Sequence, residues 1–358
     1  TTEIYTLSLH DALPICEWRL KFIDEARSEH KPFFLYTAYC APHYPLMAPQ
    51  ADIQRYQGKY MEGWDKLREK RYHRQIEMGL IKPEWPLSKR PADSPAWDSL
   101  NDQQKERFDH MMAVYAAMIE AIDKGVGMLV EGLKERGMLD NTLILFLSDN
   151  GGNAESGPPG RTVGTPLGGP ESTVCLGMNW ATLNNTPFYR YKHFTHEGGI
   201  ATPLIAHWPE GIASAQNGTL VHQPGHLVDV MPTCVEAGGA TYPKSFHAKS
   251  ILPMEGVSLI PAFANQLLKR TSPIFFEHEG NRAVRDGKWK LVSKFKGPWE
   301  LYDMEADRTE TTNVIEQHPQ IAERLIAAYK AFAKRAHVEI WPGQKRTDWG
   351  GVIKPATE

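Results

Sequence analysis

Cysteine is scarce in this sequence. The 358 residues include four cysteines, Cys16, Cys40, Cys175 and Cys234, which lie far apart along the chain. No C-x-x-C pair occurs, and this argues against zinc or redox chemistry of the kind such pairs support. The cysteines therefore give no information about the compartment in which the protein works.

An excess of one charge and a long apolar run are also missing. The 40 Lys and Arg residues nearly balance 43 Asp and Glu residues, for a net charge of −3. Without a basic stripe to follow a phosphate backbone, nucleic acid is not expected as a partner. The longest apolar run, residues 143–147, is far shorter than the roughly 20 residues needed to cross a bilayer, so no membrane span is expected. A 41% apolar composition instead predicts a globular chain with a substantial core.

The first sixteen residues have an unusual origin in our interpretation. Thr6-Leu-Ser-Leu-His-Asp-Ala-Leu-Pro-Ile15 resembles, codon for codon, one reading frame of a common short-read sequencing adapter, and the next adapter base would begin a Cys codon, as at Cys16. We expect residues 1–16 to be an artefact segment and exclude them from fold reasoning. The alternative is a native N-terminal strand. The lack of a signal peptide would be informative only if this N-terminus were genuine.

The middle of the chain has the pattern of an α/β unit. Residues 32–39 form a short apolar and aromatic run that predicts a buried strand. Residues 50–102 are polar and proline-rich and predict a surface excursion with some helix. Between residues 104 and 137, apolar residues at spacings of three and four predict a long amphipathic helix, with Gly137 suited to its C-terminal cap. The helix leads into residues 142–147, a continuous β-rich run typical of a parallel strand covered on both faces.

The remaining segments predict a second, smaller subdomain. Residues 153–177 are rich in Gly and Pro and predict a loop without regular structure, followed by a strand over 203–208 and a helix over 227–238. Beyond residue 267 the pattern changes to short strands broken by turns, followed by a final helix. The predicted strands are residues 274–277, 283–284, 289–292 and 301–302, and the helix is 319–336. We therefore expect a partial α/β catalytic domain over 17–266 and a C-terminal antiparallel β plus helix subdomain and tail over 267–358.

Polar residues at strand ends are the candidate site. Asp149 and Asn150 follow the 142–147 strand, at the edge where α/β sheets bind ligands, and their oxygens suit a hard cation such as calcium. A simple turn is the alternative. Lys192, shortly before another strand, can neutralise an anionic ester oxygen, or lie in a solvated polar loop. His43, after the first strand, can donate a proton or bind an oxyanion, or be a structural histidine.

The order of these segments resembles a known family. Its consecutive blocks are similar to Pro32-Phe-Phe-Leu-Tyr…Ala-Pro-His-Tyr-Pro45, Asn141-Thr-Leu-Ile-Leu-Phe-Leu-Ser-Asp-Asn-Gly151, Lys192…Glu-Gly-Gly-Ile-Ala-Thr-Pro203, His226-Leu-Val-Asp-Val-Met-Pro232 and Glu300-Leu-Tyr-Asp-Met304. The chain resembles the formylglycine-dependent sulfatases, with the nearest likeness to bacterial arylsulfatases, from about residue 32 to 336. The resemblance implies the alkaline-phosphatase-like fold and hydrolysis of sulfate esters, either small molecules or sulfated carbohydrates. It also implies a periplasmic or extracellular location.

The resemblance implies roles for individual residues. Asp149 and Asn150 correspond to two calcium ligands, Lys192 to the lysine that holds the bridging oxygen of the ester, and His43 to a sulfate-contacting histidine. In the family a hydrated formylglycine attacks sulfur, and the lysine and histidines stabilise the leaving oxygen. His278 is a candidate for the substrate mouth, with a structural or surface role as the alternative. His196 stands where many relatives have Tyr, which leaves its role open.

Departures from the family pattern are equally specific. The sequence contains neither the C-x-P-S-R nucleophile block nor the N-terminal Asp-Asp pair of further calcium ligands. Cys40-Ala-Pro-His-Tyr44 imitates the start of that block but lacks its Ser and Arg, so we interpret Cys40 as a small buried residue. We expect a C-terminal part of a sulfatase that is inactive by itself.

Two alternatives stay open. The first is a phosphodiesterase or phosphonate monoester hydrolase of the same superfamily, because related scaffolds share the fold. Asp149-Asn150, in place of the Asp-His pair of two-zinc phosphatases, favours one hard cation and sulfatase chemistry. The second alternative is a truncated product without function.

Overall fold

A computed structural model of the chain describes residues 12–342, with side chains described from residue 18. Most of the segment interpreted as an artefact, residues 1–11, lies outside the described range. The helices are α1 Ala12–Ser28, α2 Gln50–Gln54, α3 Gly63–Glu77, α4 Asp102–Glu135, α5 Gly177–Asn184, α6 Glu197–Ile200, α7 Val230–Ala237, α8 Ile260–Phe263 and α9 Pro319–Arg335. The strands are β1 Ile144–Leu147, β2 Arg161–Val163, β3 Thr173–Cys175, β4 Leu204–His207, β5 Ser245–Phe246, β6 Lys249–Ser250, β7 Ile274–His278, β8 Asn281–Asp286, β9 Trp289–Ser293 and β10 Glu300–Asp303.

Helix α4 is the central helix, and both of its ends follow from the sequence. Asn101 accepts a hydrogen bond from the Gln104 backbone N–H while the Gln104 side chain accepts one from Asn101, which forms a capping box. At the other end Gly137 has a φ of +63°, and the N–H of Met138 donates to the carbonyl of Leu133. This is a Schellman cap, so the predicted helix and its glycine stop are confirmed.

The main core is built around an aromatic cluster, which we define as Trp64, Trp97, Phe108 and Trp180. Trp64 packs edge-to-face on the other three rings, with centroid distances of 4.8, 5.0 and 5.4 Å. Such pairs add about 0.5–1.5 kcal/mol each beyond the area they bury. Trp64 and Trp97 come from the segment predicted as a surface excursion, and that prediction is wrong for them. Two tryptophans 33 positions apart show no helical or strand period, so the many polar residues between them led to the prediction of an exposed segment.

The sheet below the candidate site differs from the predicted one. Strands β1 and β4 pair antiparallel, with Ile144 opposite His207, and no parallel pair occurs among residues 12–342. The connection between β1 and β4 is long and rich in Gly and Pro, so the chain can return to the sheet in either direction. The predicted order of a helix followed by a strand therefore did not determine whether β1 would pair parallel or antiparallel. Phe146 is 42% and Ile205 60% exposed, so the expected cover on both faces is also absent.

Two further local predictions are corrected. Residues 32–39 are not a strand, and Phe34 and Tyr36 are 75% and 81% exposed. An apolar run becomes a strand only when a neighbouring backbone accepts its hydrogen bonds. The loop over 153–177 does contain regular structure, because β2 and β3 form a short antiparallel ladder.

The C-terminal subdomain has the predicted architecture. Four antiparallel strands form a meander in the order β10-β9-β8-β7, and α9 packs Leu325 and Tyr329 against Leu291 and Leu301. The β7–β8 connection consists of Glu279 and Gly280, both with positive φ, as a type I′ turn requires. None of the helices within residues 12–342 has the length and hydropathy needed to cross a membrane.

Candidate active site

Two loops meet beyond the end of β1. Asp149 and Asn150 follow the strand, and the Asn150 side-chain amide donates to Asp149 Oδ1 at 2.7 Å. The N–H of Lys192 donates to the Gly152 carbonyl at 3.1 Å, and the N–H of Gly151 to the Gly199 carbonyl at 3.0 Å. A Cβ atom on Gly151 would lie 1.8 Å from the Gly198 carbonyl oxygen. Only glycine fits there, and this close backbone approach brings the Asp149-Asn150 loop beside the loop of Lys192.

His43 and Lys192 form a direct pair across 149 positions of sequence. Lys192 Nζ lies 2.9 Å from His43 Nε2, and the other ring nitrogen of His43, Nδ1, lies 2.8 Å from the Tyr44 carbonyl oxygen. A carbonyl only accepts, so these partners assign the proton to Nδ1 and a lone pair to Nε2. His43 is thereby an acceptor for the lysine, and Asn153 approaches the same nitrogen at 3.5 Å.

Glu155 lies beside Lys192 and two histidines of the site. Its carboxylate is 3.7 Å from Lys192 Nζ, 3.8 Å from His193 Nε2 and 3.9 Å from His43 Nε2. Burial alone would raise the pKa of Glu155, but the neighbouring His193 ring and the charge of Lys192 lower it below its usual range. The carboxylate is therefore ionised at neutral pH. Sequence reasoning missed Glu155, because it lies in an irregular loop where neither period nor spacing marks a functional carboxylate.

His278 joins the same cluster through His193, which sequence reasoning also missed. The two imidazole rings stack with centroids 5.5 Å apart, and His278 Nε2 lies 3.4 Å from His193 Nδ1. Glu279 Oε2 is 3.2 Å from the same nitrogen. Of the predicted site residues, His43, Lys192 and His278 thus belong to one chain of side-chain contacts. Asp149 and Asn150 lie on the adjacent loop and are linked to it through the backbone.

Two other singled-out residues have different surroundings. His196 is fully buried, with Nε2 3.4 Å from the Glu300 carboxylate and its ring edge-on to Tyr189. This is a structural position. Cys40 was interpreted as a small buried residue, but its thiol is exposed, because the segment around it is not part of a sheet.

A buried ionic network holds the site loop to the C-terminal subdomain. Lys290 of β9 is fully buried and lies 2.8 Å from Glu197, at the start of α6, and 2.7 Å from Glu310. Arg308 also approaches Glu197, at 3.4 Å. Burial would raise the pKa of Glu197, but Lys290 and Arg308 lower it to about 2. Within residues 18–342, Lys290 is the one Lys or Arg that pairs with Glu310, and burial raises the pKa of Glu310 despite this partner.

Comparison with known proteins identifies the family. The sequence profile described as Sulfatase matches residues 17–240, more than half of the chain. The chain belongs to the sulfatase family. A second profile, for the C-terminal region of N-sulphoglucosamine sulphohydrolase, matches residues 188–334 and covers most of the C-terminal subdomain.

Individual sulfatases agree with this assignment. An uncharacterized sulfatase of Schizosaccharomyces pombe is 32% identical over 94% of this chain and 64% of its own length. The arylsulfatase of Klebsiella aerogenes is 35% identical over 66% of this chain and 52% of its own length. This chain therefore spans about half to two thirds of these curated relatives.

Solved structures confirm the alkaline-phosphatase-like sulfatase fold. The structure of Ps i-CgsB in complex with k-i-k-neocarrahexaose superposes with a TM-score of 0.59 at 25% identity, over 90% of this chain and 54% of that one. A phosphonate monoester hydrolase of Agrobacterium radiobacter has a TM-score of 0.51 at 19% identity, over 93% of this chain and 62% of that one. At that identity it shares the fold alone.

Sulfatases generally bind a metal ion, and Asp149 and Asn150 have suitable donors. A carboxylate and an amide oxygen are hard ligands of the kind that calcium prefers. They stand side by side at the end of β1. Calcium takes six to eight oxygens, so these two residues can supply only part of a coordination sphere.

Proposed function

We propose that this chain carries the cation-binding and leaving-group residues of a sulfuric ester hydrolase. The observation that carries the proposal is the Lys192–His43 pair, 2.9 Å apart, beside the loop of Asp149 and Asn150. Family membership supports the reaction class, and the chemistry of these four residues supports the roles. Asp149 and Asn150 would hold calcium, whose charge would attract the sulfate group.

Lys192 acts on the bridging oxygen of the ester. An ammonium group donates a hydrogen bond to this oxygen in the bound ester, and it also stabilises the negative charge that the oxygen gains as the S–O bond breaks. His43 orients the lysine, since the Nε2 lone pair accepts one of its three N–H bonds and leaves the others for substrate. Ionised Glu155 lies 3.7 Å from Lys192 Nζ and partly offsets the positive charge of the lysine.

The substrate class we propose is a sulfated carbohydrate or a sulfated phenol. The carbohydrate is suggested by the neocarrahexaose in the Ps i-CgsB structure, and the phenol by the arylsulfatase relative. The family's formylglycine supplies the nucleophile that attacks sulfur, and its C-x-P-S-R block does not occur in the 358 residues. Binding, rather than turnover, is therefore the direct test of these residues.

The test is isothermal titration of the chain with 4-nitrophenyl sulfate in the presence of calcium. A hydrogen bond to a charged group contributes about 1.5–3 kcal/mol, so Lys192→Ala should weaken ester binding about tenfold or more. Lys134→Ala, an exposed lysine at the end of α4, is the matched control and should leave it unchanged. Asp149→Ala should instead weaken calcium binding.

Two results would count against the proposal. Equal affinity of the Lys192→Ala variant and the unmodified chain would remove Lys192 from its role. Clearly tighter binding of a phosphonate monoester than of the sulfate ester would favour the phosphonate hydrolase alternative.

A further inference from the structure

The geometry points to a transition-metal site formed by His193, His278 and Glu279, separate from the proposed calcium ligands. Each residue offers one ligand atom, and these atoms all lie within 4.8 Å of one another. Two imidazoles and one carboxylate form a donor set for zinc, cobalt or nickel rather than calcium. Metal binding at these three residues does not require the chain to hydrolyse sulfate esters.

The spacing of the ligand atoms fits a tetrahedral ion. Ligands at 2.0–2.1 Å from a tetrahedral zinc lie about 3.3 Å from each other. His193 Nδ1 is 3.2 Å from Glu279 Oε2 and 3.4 Å from His278 Nε2. The shortest approach of His278 Nε2 to the Glu279 carboxylate is 3.9 Å and is made to the other oxygen, Oε1, so the three ligand atoms taken together lie within 4.8 Å of one another. The His278 side chain is 53% exposed, and its ring would have to move toward the carboxylate for all three atoms to bind one ion.

The backbone holds the three ligands in place. Glu279 is the first residue of the type I′ turn between β7 and β8, and His278 precedes it at the end of β7. The Asn281 side chain donates to the carbonyl oxygens of both His193 and His278, at 2.8 and 3.0 Å. Both His193, at a φ of +84°, and Glu279, at +53°, have left-handed backbones that non-glycine residues rarely adopt. Such strained positions cluster at ligand-binding sites.

Glu155 completes the arrangement on the far side of His193. With Nδ1 directed at the cluster, the other ring nitrogen of His193 lies 3.8 Å from Glu155 Oε1. A carboxylate that accepts the other N–H of a metal-bound histidine fixes the ring and makes it a stronger ligand, and Glu155 would take this role if the 3.8 Å separation closed to hydrogen-bond distance. The same Glu155 lies 3.7 Å from Lys192. The three protein ligands leave the fourth position of a tetrahedral ion for water or an anion.

The experiment uses the full chain after dialysis against a chelator and then metal-free buffer. Addition of one equivalent of cobalt chloride should produce the intense visible absorption of tetrahedral Co²⁺, and zinc chloride should then abolish it by displacement. Zinc affinity is measured by isothermal titration. Loss of an outer partner of a metal ligand costs about 10–100-fold in affinity. We therefore expect a loss of about 100-fold or more in His278→Ala and in Glu279→Gln, and of about tenfold in Glu155→Gln.

Two controls separate this site from other metal binding. His73→Ala alters an exposed histidine of α3 and should leave zinc affinity unchanged, as should Asp149→Ala. Circular dichroism of each variant checks the fold, and Glu279→Gln keeps the size of the turn residue. Unchanged zinc affinity in folded His278→Ala and Glu279→Gln would overturn the proposal. So would a weak octahedral cobalt spectrum, or loss of the signal in His73→Ala.

Discussion

Replacing Lys290 with Met should strongly destabilise the chain. Lys290 is fully buried between Glu197 and Glu310, at 2.8 and 2.7 Å. Methionine has a similar length and no charge, so it fills the space but leaves the Glu310 carboxylate without a cation within 4 Å among residues 18–342. Removal of one partner from a buried ion pair costs about 3–5 kcal/mol. For a chain of marginal stability that is a large part of the free energy of unfolding.

The assay is urea unfolding followed by circular dichroism, with Lys288→Met as the matched control. Lys288 is two positions away and pairs with Asp303 at 2.6 Å, but it is exposed, and surface pairs contribute little. Adding Glu310→Gln to Lys290→Met should recover part of the loss, because it removes the unpaired charge. Equal urea midpoints for the Lys290→Met and Lys288→Met variants would refute the argument that burial makes this pair important.

Two more predictions concern the fold. The pKa of Glu197 is lowered from 4.5 to about 2 in the folded chain, so the stability that the ionised carboxylate contributes is complete above pH 4.5 and is lost as pH falls from about 4.5 to 2. The urea midpoint should therefore decrease as pH is lowered through this range. A constant midpoint would contradict the lowered pKa. Trp64→Ala should cost about 3–5 kcal/mol because it opens a cavity in the aromatic cluster, and a urea midpoint within error of the unmodified chain would show that Trp64 does not hold that core.

The sequence predicted the helices and strands whose formation depends on residues close together in the chain. Helix α4 appeared in the sequence because its buried residues repeat with the period of a helix, and Gly137 marked its end. The strands of the C-terminal meander were also predicted from local pattern, because they are short runs broken by turns. Strand pairing was not, because β1 and β4 meet across a long irregular connection, and nothing in either strand records the direction of its partner.

The candidate site shows the same division. His43 and Lys192 were singled out because they lie beside predicted strands, and the family resemblance supplied their roles. The distance between them became known only once the chain was folded. Glu155 and His193 had no signal, because a carboxylate in a Gly-rich loop and a histidine beside a lysine are common in solvated segments. Their role follows from contacts between parts of the chain that are far apart in sequence. The metal roles of Asp149 and Asn150 stay predictions.

The aromatic cluster also gives the chain an internal optical probe. Trp64, Trp97 and Trp180 have ring centroids 4.8–5.9 Å apart, close enough for their electronic transitions to interact. Near-ultraviolet circular dichroism reports fixed packing of such rings, and the signal disappears when packing loosens even if helices persist. Trp289 and Trp299 lie in the other core, beside His318 and Tyr329. The coupling of these three indoles contributes to the near-ultraviolet signal of the ten tryptophans, and that contribution depends on the packing of α3, α5 and the Trp97 segment. Far-ultraviolet signals instead report all helices and strands together.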